Sequence, residues 1–289
     1  MNSIPESELV INNDGSIYHL HLHPEQIADT IFIVGDQGRV QEVSQHFDRI
    51  EHRVINREFV THTGYIGNKR LTALSTGIGT DNIDIVLNEL DALVNIDLDA
   101  RVEKSTKKRL DIIRLGTSGA VHQDIPVDCY LVSTHGMGMD NLMHYYANNQ
   151  FDQELTNAFK THSNWPPKLS EPYFYKGSED LLNLFTDLRR GITATAPGFY
   201  GPQGRSIRLP FSIPDLHQQL NSFEHNNLKI TNFEMETAAL YGLGKLLDHR
   251  CLTICAIIAN RIQQQYSKDY KKTVSEMIPF VLERITNNG

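Results

Sequence analysis

The chain has 289 residues, of which 40% are hydrophobic and 21% charged, and its formal net charge is −8. That length holds one large α/β domain or two small ones, and the acidic balance excludes the broad basic face of a nucleic-acid binder while leaving room for a small anion gripped by a local arginine cluster. Cys129, Cys251 and Cys255 are too few for a disulfide framework, no apolar run is long enough to span a membrane, and the polar N-terminus lacks a signal core, so the expectation is a cytoplasmic protein with neither membrane nor nucleic acid as partner.

In chain order, residues 1–16 read as a polar extension, and HLHLH at 19–23 as a strand whose alternating histidines share a face. No carboxylate or cysteine stands at ligand spacing beside them, so a hydrogen-bonding histidine is expected there and no metal. TIFIV (30–34) is a buried strand that ends at Gly35, with Arg39 in the next turn. Residues 57–76 form a hairpin about Gly67-Asn68. From residue 77 a helix opens whose apolar set is Ile83, Ile85, Val86, Leu87, Leu90, Leu93 and Val94. Residues 95–109 are charged and aperiodic, a helix extension or a surface insertion. LDIIRLGTSGAV (110–121) is a strand running into a Gly-rich turn, CYLVST (129–134) another strand, and residues 163–172 a Pro-rich loop. GITATAP (191–197) is a strand leading into the loop GFYGPQGRSIRLP (198–210), which has the look of an active-site loop. A helix from about Glu234 to Leu247 precedes the strand LTICAIIA (252–259). The last helix buries Val274, Met277, Ile278, Val281, Leu282 and Ile285, and Pro279 should kink it. Short β-rich runs alternating with helices indicate an α/β fold, read as one domain over 1–289.

Three strand-to-loop junctions carry chemistry: Gly35 with Arg39, STGIGTDN at 75–82, and RLGTSG at 114–119. Glycines let backbone N–H groups approach an oxyanion, and a helix N-terminus adds a favourable dipole. Each is also what a purely steric βα turn looks like. None has the Gly-Lys-Ser/Thr of a P-loop, and GIGTDN lacks the third glycine of a dinucleotide fingerprint. Glu234 and Glu236 can point into one pocket and grip sugar hydroxyls, or serve simply as acids at a helix N-terminus. Gln203 and Arg205 can satisfy the donors and acceptors of a pyrimidine edge, or stand in a solvated loop.

Taken in order, these residues resemble the nucleoside phosphorylases of the uridine phosphorylase type. The resemblance covers roughly residues 18 to 285 and rests on YHLHL, IVGDQGRV, NREF, STGIG, IIRLGTSGAV, FYGPQGR, NFEMETAAL and IIANRIQQQ. It implies a three-layer α/β/α sandwich around a mixed, barrel-like central sheet, with 95–109 as an insertion. It implies phosphate binding by Gly35, Arg39, Arg114 and Thr117, with Arg57 reaching the phosphate of a neighbouring subunit. His19 would likewise cross the interface to the ribose 5′-hydroxyl, while Glu236 and Met235 hold the sugar. Gln203 and Arg205 would read the base, Phe199 stack on it and Arg261 support it, with Arg114, Arg205 and Gln203 carrying the catalysis. The partners implied are a nucleoside, phosphate as co-substrate, and a second copy in a homodimer that can assemble into a hexamer as a trimer of dimers. No cofactor is needed, although the resemblance leaves room for a monovalent cation near Glu58.

Related enzymes acting on purines carry an aspartate where this chain has Asn260, which favours a pyrimidine. The implied activity is reversible phosphorolysis of uridine or a related nucleoside to uracil and ribose 1-phosphate. The alternatives are phosphorolysis of purine or 5′-modified nucleosides, or nucleoside binding without catalysis. The last is motivated by departures from the family pattern in two loops: Gln37 replaces a proline, and Thr80, Asp81 and Asn82 replace small residues; in the base loop Gly204 also replaces an acid.

Overall fold

Alternation within a five-residue strand sets up the layers. The computed structural model describes residues 3–147 and 150–287, so the first two residues of the expected extension lie outside the described residues. In β1 (Thr30–Val34) every residue is buried, as a strand covered on both faces requires. Ile31 and Ile33 join one core cluster and Phe32 and Val34 another, because successive side chains leave a strand on opposite faces.

The principal strands that follow are β2 (Arg49–Asn56), β3 (Phe59–Ile66), β4 (Lys69–Ser75), β5 (Asp111–Ala120), β6 (Tyr130–Gly138), β7 (Arg189–Thr195), β8 (Leu228–Glu234) and β9 (Arg250–Asn260). They run in the order β8-β7-β6-β9-β5-β1-β4-β3-β2, and shorter strands complete a 12-stranded sheet. β8 also pairs back onto β5, at Asn232 with Ala120 and Phe233 with Gly119, which closes β5, β9, β6, β7 and β8 into a five-stranded barrel. β1–β4, β1–β5, β5–β9, β6–β7 and β7–β8 are parallel, and β9–β6 and β8–β5 antiparallel.

Helices α1 (Gln37–Ser44), α2 (Thr80–Asn95), α3 (Gln153–His162), α4 (Thr237–Leu246) and α5 (Tyr270–Asn287) surround it. α2 and α4 supply Ile83, Leu90, Leu240 and Leu243 to the cluster that holds Ile31. α1 and α5 supply Val40, Val43, Met277 and Val281 to the one that holds Phe32. The sheet is thus sandwiched between two helical layers, the fold that the motifs implied. Inside the barrel a buried polar thread joins four strands: Ser133 to Thr193 (2.6 Å), Thr193 to Asn232 (3.0 Å) and Asn232 to Ser118 (2.9 Å). With each member satisfied, such a network fixes strand positions.

Two of the expected elements are corrected. Residues 19–23 are not a strand: His21 takes φ 55°, and the Glu89 carboxylate captures the backbone N–H groups of His19 and Leu20. The helix expected from Glu234 starts at Thr237, because β8 continues to Glu234 and the Glu234 carboxylate accepts from the N–H groups of Glu236 and Thr237. Residues 95–109 include a small hairpin, Ile96–Asp97 with Val102–Glu103. α5 runs on through Pro279 as one helix.

Candidate active site

Parallel strands bring their carboxyl ends, and the loops that follow them, to one side of a sheet, where ligands of α/β proteins bind. Here Gly35 follows β1, Gly77 follows β4, Thr117 and Ser118 lie late in β5, Glu234 ends β8 and Asn260 ends β9. A cavity of about 1100 Å³ opens over these ends.

At its floor Arg114 is 5% exposed. It is held between two carboxylates, by Nη1 to Glu234 Oε2 at 3.1 Å and by Nη2 to Glu236 Oε2, and it donates to Cys255 Sγ at 3.6 Å. Burial opposes its charge, yet Glu236 and Glu234 keep it firmly protonated. Burial pushes the Glu236 carboxyl above its ordinary range; Arg114 resists the shift and Glu234 adds to it. The other oxygen of Glu236 accepts from Gly79 N–H at 2.8 Å, which ties the carboxylate to the loop before α2. Glu234, by contrast, is consumed by structure: besides capping α4 it accepts from Thr195 Oγ1 at 2.9 Å.

Arg39 enters from α1, whose N-terminus is capped by Asp36 accepting from Gly38 N–H at 2.7 Å. Its Nη1 donates to the Leu115 carbonyl at 3.3 Å, and among the described residues no carboxylate ion-pairs with it. Burial, and then the like charge of Arg114, depress its pKa. Two neighbouring guanidinium groups with one of them uncompensated make a receptor for an anion.

Across the cavity lies the loop after β7. Gln203 is buried, with its amide nitrogen 3.5 Å from the Glu234 carbonyl. Arg205 donates to Gln203 Oε1 and to the Phe199 carbonyl at 2.9 Å, and its guanidinium lies 3.8 Å from the Phe199 ring centroid. Burial, then Arg261, push Arg205 down to about 10. Arg261 braces the loop by donating to the Gly204 carbonyl at 3.1 Å. Asn260 spends its side chain on structure: Nδ2 donates to the His122 and Ile125 carbonyls at 2.8 and 2.7 Å, and Oδ1 accepts from Ile262 and Gln263.

The cavity therefore brings together Gly35, Arg39, Arg114 and Thr117 with Met235 and Glu236, and both groups with Phe199, Gln203, Arg205 and Arg261. His19 and Arg57 lie outside this lining. Arg57 is exposed at φ 54°, its guanidinium 5.4 Å from the Tyr18 ring centroid, and the adjacent Asn56 donates to the His19 carbonyl at 2.7 Å. Of the departures, Gln37 donates to the Arg57 carbonyl at 2.8 Å, Asn82 lines the cavity, and Asp81 is exposed outside it. Sequence reasoning passed over Phe233, Ser118 and Ile258 as lining residues. Phe233 directly precedes Glu234, Ser118 follows Thr117 and Ile258 stands within IIANRIQQQ, so adjacency within the motifs was a usable signal.

The sequence profile of the Phosphorylase superfamily matches residues 29–284. A uridine phosphorylase of Thermococcus kodakarensis is 27% identical over 269 residues, covering 90% of this chain and 83% of that protein. One of Haemophilus influenzae is 26% identical over 278 residues, covering 92% and 96%. Among solved structures, a Trypanosoma brucei nucleoside phosphorylase described as showing uridine phosphorylase activity superimposes with a TM-score of 0.86 at 27% identity, over 96% of this chain and 99% of that one.

Proposed function

The chain belongs to the phosphorylase superfamily, and from that premise we propose that it is a pentosyltransferase of the uridine phosphorylase kind, splitting uridine or a related pyrimidine nucleoside with phosphate into uracil and ribose 1-phosphate. The observation that carries this reading is the half-buried Arg39, which has no ion-paired carboxylate among the described residues, beside Arg114 on the same cavity as the Gln203–Arg205 pair. Phosphate answers the two guanidinium groups, with Gly35 and Thr117 beside them. The ribose diol donates to Glu236, with Met235 against the sugar. The base lies against Phe199, read by Gln203 and Arg205 and backed by Arg261.

In this arrangement a phosphate oxygen bonds to the anomeric carbon as the N-glycosidic bond breaks, and the bonding pair leaves with the base. Positive charge on the ribose is met by the phosphate dianion, and negative charge on the base by Arg205 and Gln203. Catalysis is positioning plus preorganised electrostatics, with inorganic phosphate as co-substrate and no cofactor. Asn260, fully engaged in its turn, supplies no acid for a departing purine.

Outside the cavity lining, Arg57 lies over the exposed Tyr18 ring, which packs against the His19 ring, and this supports a homodimer whose partner completes each site; dimers of this kind can build a hexamer. No described helix is long and apolar enough to cross a membrane, and three free thiols suit a reducing, cytoplasmic setting. The test is to incubate the purified protein with uridine, with and without phosphate, and to assay uracil and ribose 1-phosphate. Phosphate-dependent release of both is expected. Release that ignores phosphate, or no release at all, overturns the reading.

A further inference from the structure

The inserted residues 95–109 make a contact that the reaction above does not explain. The hairpin Ile96–Asp97/Val102–Glu103 directly continues α2. Its tip is built by Asp97, whose carboxylate accepts from Asp99 N–H at 3.1 Å and Ala100 N–H at 2.9 Å, and by Arg101 at φ 57°. Arg101 then grips the N-terminal segment three times. Its carbonyl accepts from Ile4 N–H at 2.7 Å, its Nε donates to the Ile4 carbonyl at 3.1 Å, and its Nη2 donates to the Leu9 carbonyl.

The gripped segment leads straight to His19. Leu9 is buried in the cluster shared with α2. Ile11 bridges Ile17, and the Asn12 side chain donates to Ser16 Oγ and the Ile17 carbonyl, both at 3.0 Å. α2 holds the far end as well: Glu89 accepts from the backbone of His19 at 2.9 Å and of Leu20 at 2.8 Å, and binds His19 Nδ1 at 2.6 Å. A carboxylate only accepts, so Nδ1 carries the hydrogen, and in the neutral ring Nε2 is left as an acceptor. One rigid helix and its hairpin thus clamp both ends of the loop that bears the imidazole.

We propose that Arg101 is a positioning residue for His19, holding the N-terminal loop so that Nε2 meets the 5′-hydroxyl of a nucleoside in the partner's site. This rests on the uridine reading above and adds to it a device located in the insertion. Without the clamp at residues 4–9, local opening of the segment spreads toward residue 19.

The experiment compares kcat/KM for uridine and 5′-deoxyuridine in the wild-type protein, His19→Ala and Arg101→Gly, together with amide hydrogen exchange over residues 4–20. Glycine suits the left-handed backbone at this position, so Arg101→Gly removes the guanidinium without straining the hairpin. The wild-type protein is expected to prefer uridine by about tenfold, the worth of one good hydrogen bond in the transition state. His19→Ala and Arg101→Gly should both bring that ratio toward one. Arg101→Gly should also speed exchange in residues 4–20 and leave kcat/KM for 5′-deoxyuridine unchanged. A ratio that His19→Ala moves and Arg101→Gly does not overturns the positioning role alone. A ratio that neither moves overturns the placement of His19, and this role with it. A wild-type protein that releases no uracil overturns the reaction itself and the role together.

Discussion

Arg114 and Glu236 hold each other on the cavity lining although the proposed chemistry assigns them to different substrates. Under that proposal the two ligands together part them: a diol donates to the carboxylate while a phosphate accepts from the guanidinium, so neither buried charge is stranded. The candidate residues were legible from the motifs, but this mutual pairing was not, because the partners are 122 positions apart and nothing local marks them. A second buried group makes a pH prediction. His135, 7% exposed on β6, is pushed down to about 4 by burial. Its folded-state pKa is depressed, so its neutral form contributes fully above the ordinary value of 6.5 and that contribution is lost as pH falls toward about 4. Stability should fall by up to about 3 kcal/mol from this group across that window. His135→Gln should flatten the acid limb of the thermal-unfolding midpoint plotted against pH; an equally steep limb in the variant would count against the assignment.

At the scale of elements, β6 and α4 meet backbone to backbone. A Cβ at Gly136 would lie 2.6 Å from Ala238 Cα and 2.8 Å from its nitrogen, atoms that cannot rotate aside. Gly136→Ala should therefore push α4 outward, and Glu236 with it. The expected cost is about 1–3 kcal/mol in urea unfolding, with the KM for uridine rising more than the KM for phosphate. An unchanged denaturation midpoint would show that the two elements are not locked. Elements with a strong period, such as the α2 face and the α5 face, were readable from the sequence and lie in the cores as expected. The misreadings fall where a side chain redirects the backbone. Glu234 caps α4 from the end of a strand, and Glu89 draws HLHLH into a turn from 70 residues away. Local patterning carries no trace of either interaction.

At the scale of the whole molecule, the barrel closes by pairing β8 with β5 and gathers the cavity, while His19 and Arg57 remain on an outer face. A site shared between subunits predicts complementation. Arg57→Ala and Arg114→Ala proteins, each inactive alone, should regain about a quarter of wild-type activity when unfolded and refolded together, because half of the random dimers carry one intact site. A mixture as inactive as its parents would place Arg57 outside the site. Arg39, finally, bears on endurance as well as turnover. A half-buried cation that has no ion-paired carboxylate among the described residues and faces a second guanidinium is a standing electrostatic load on the native state, which the more distant Glu42 and Asp36 only partly relieve. An anion that binds only the native protein lifts that load by mass action. Phosphate is then a reactant that also shelters the fold, and where phosphate is scarce the same molecule both idles and becomes easier to unfold and degrade.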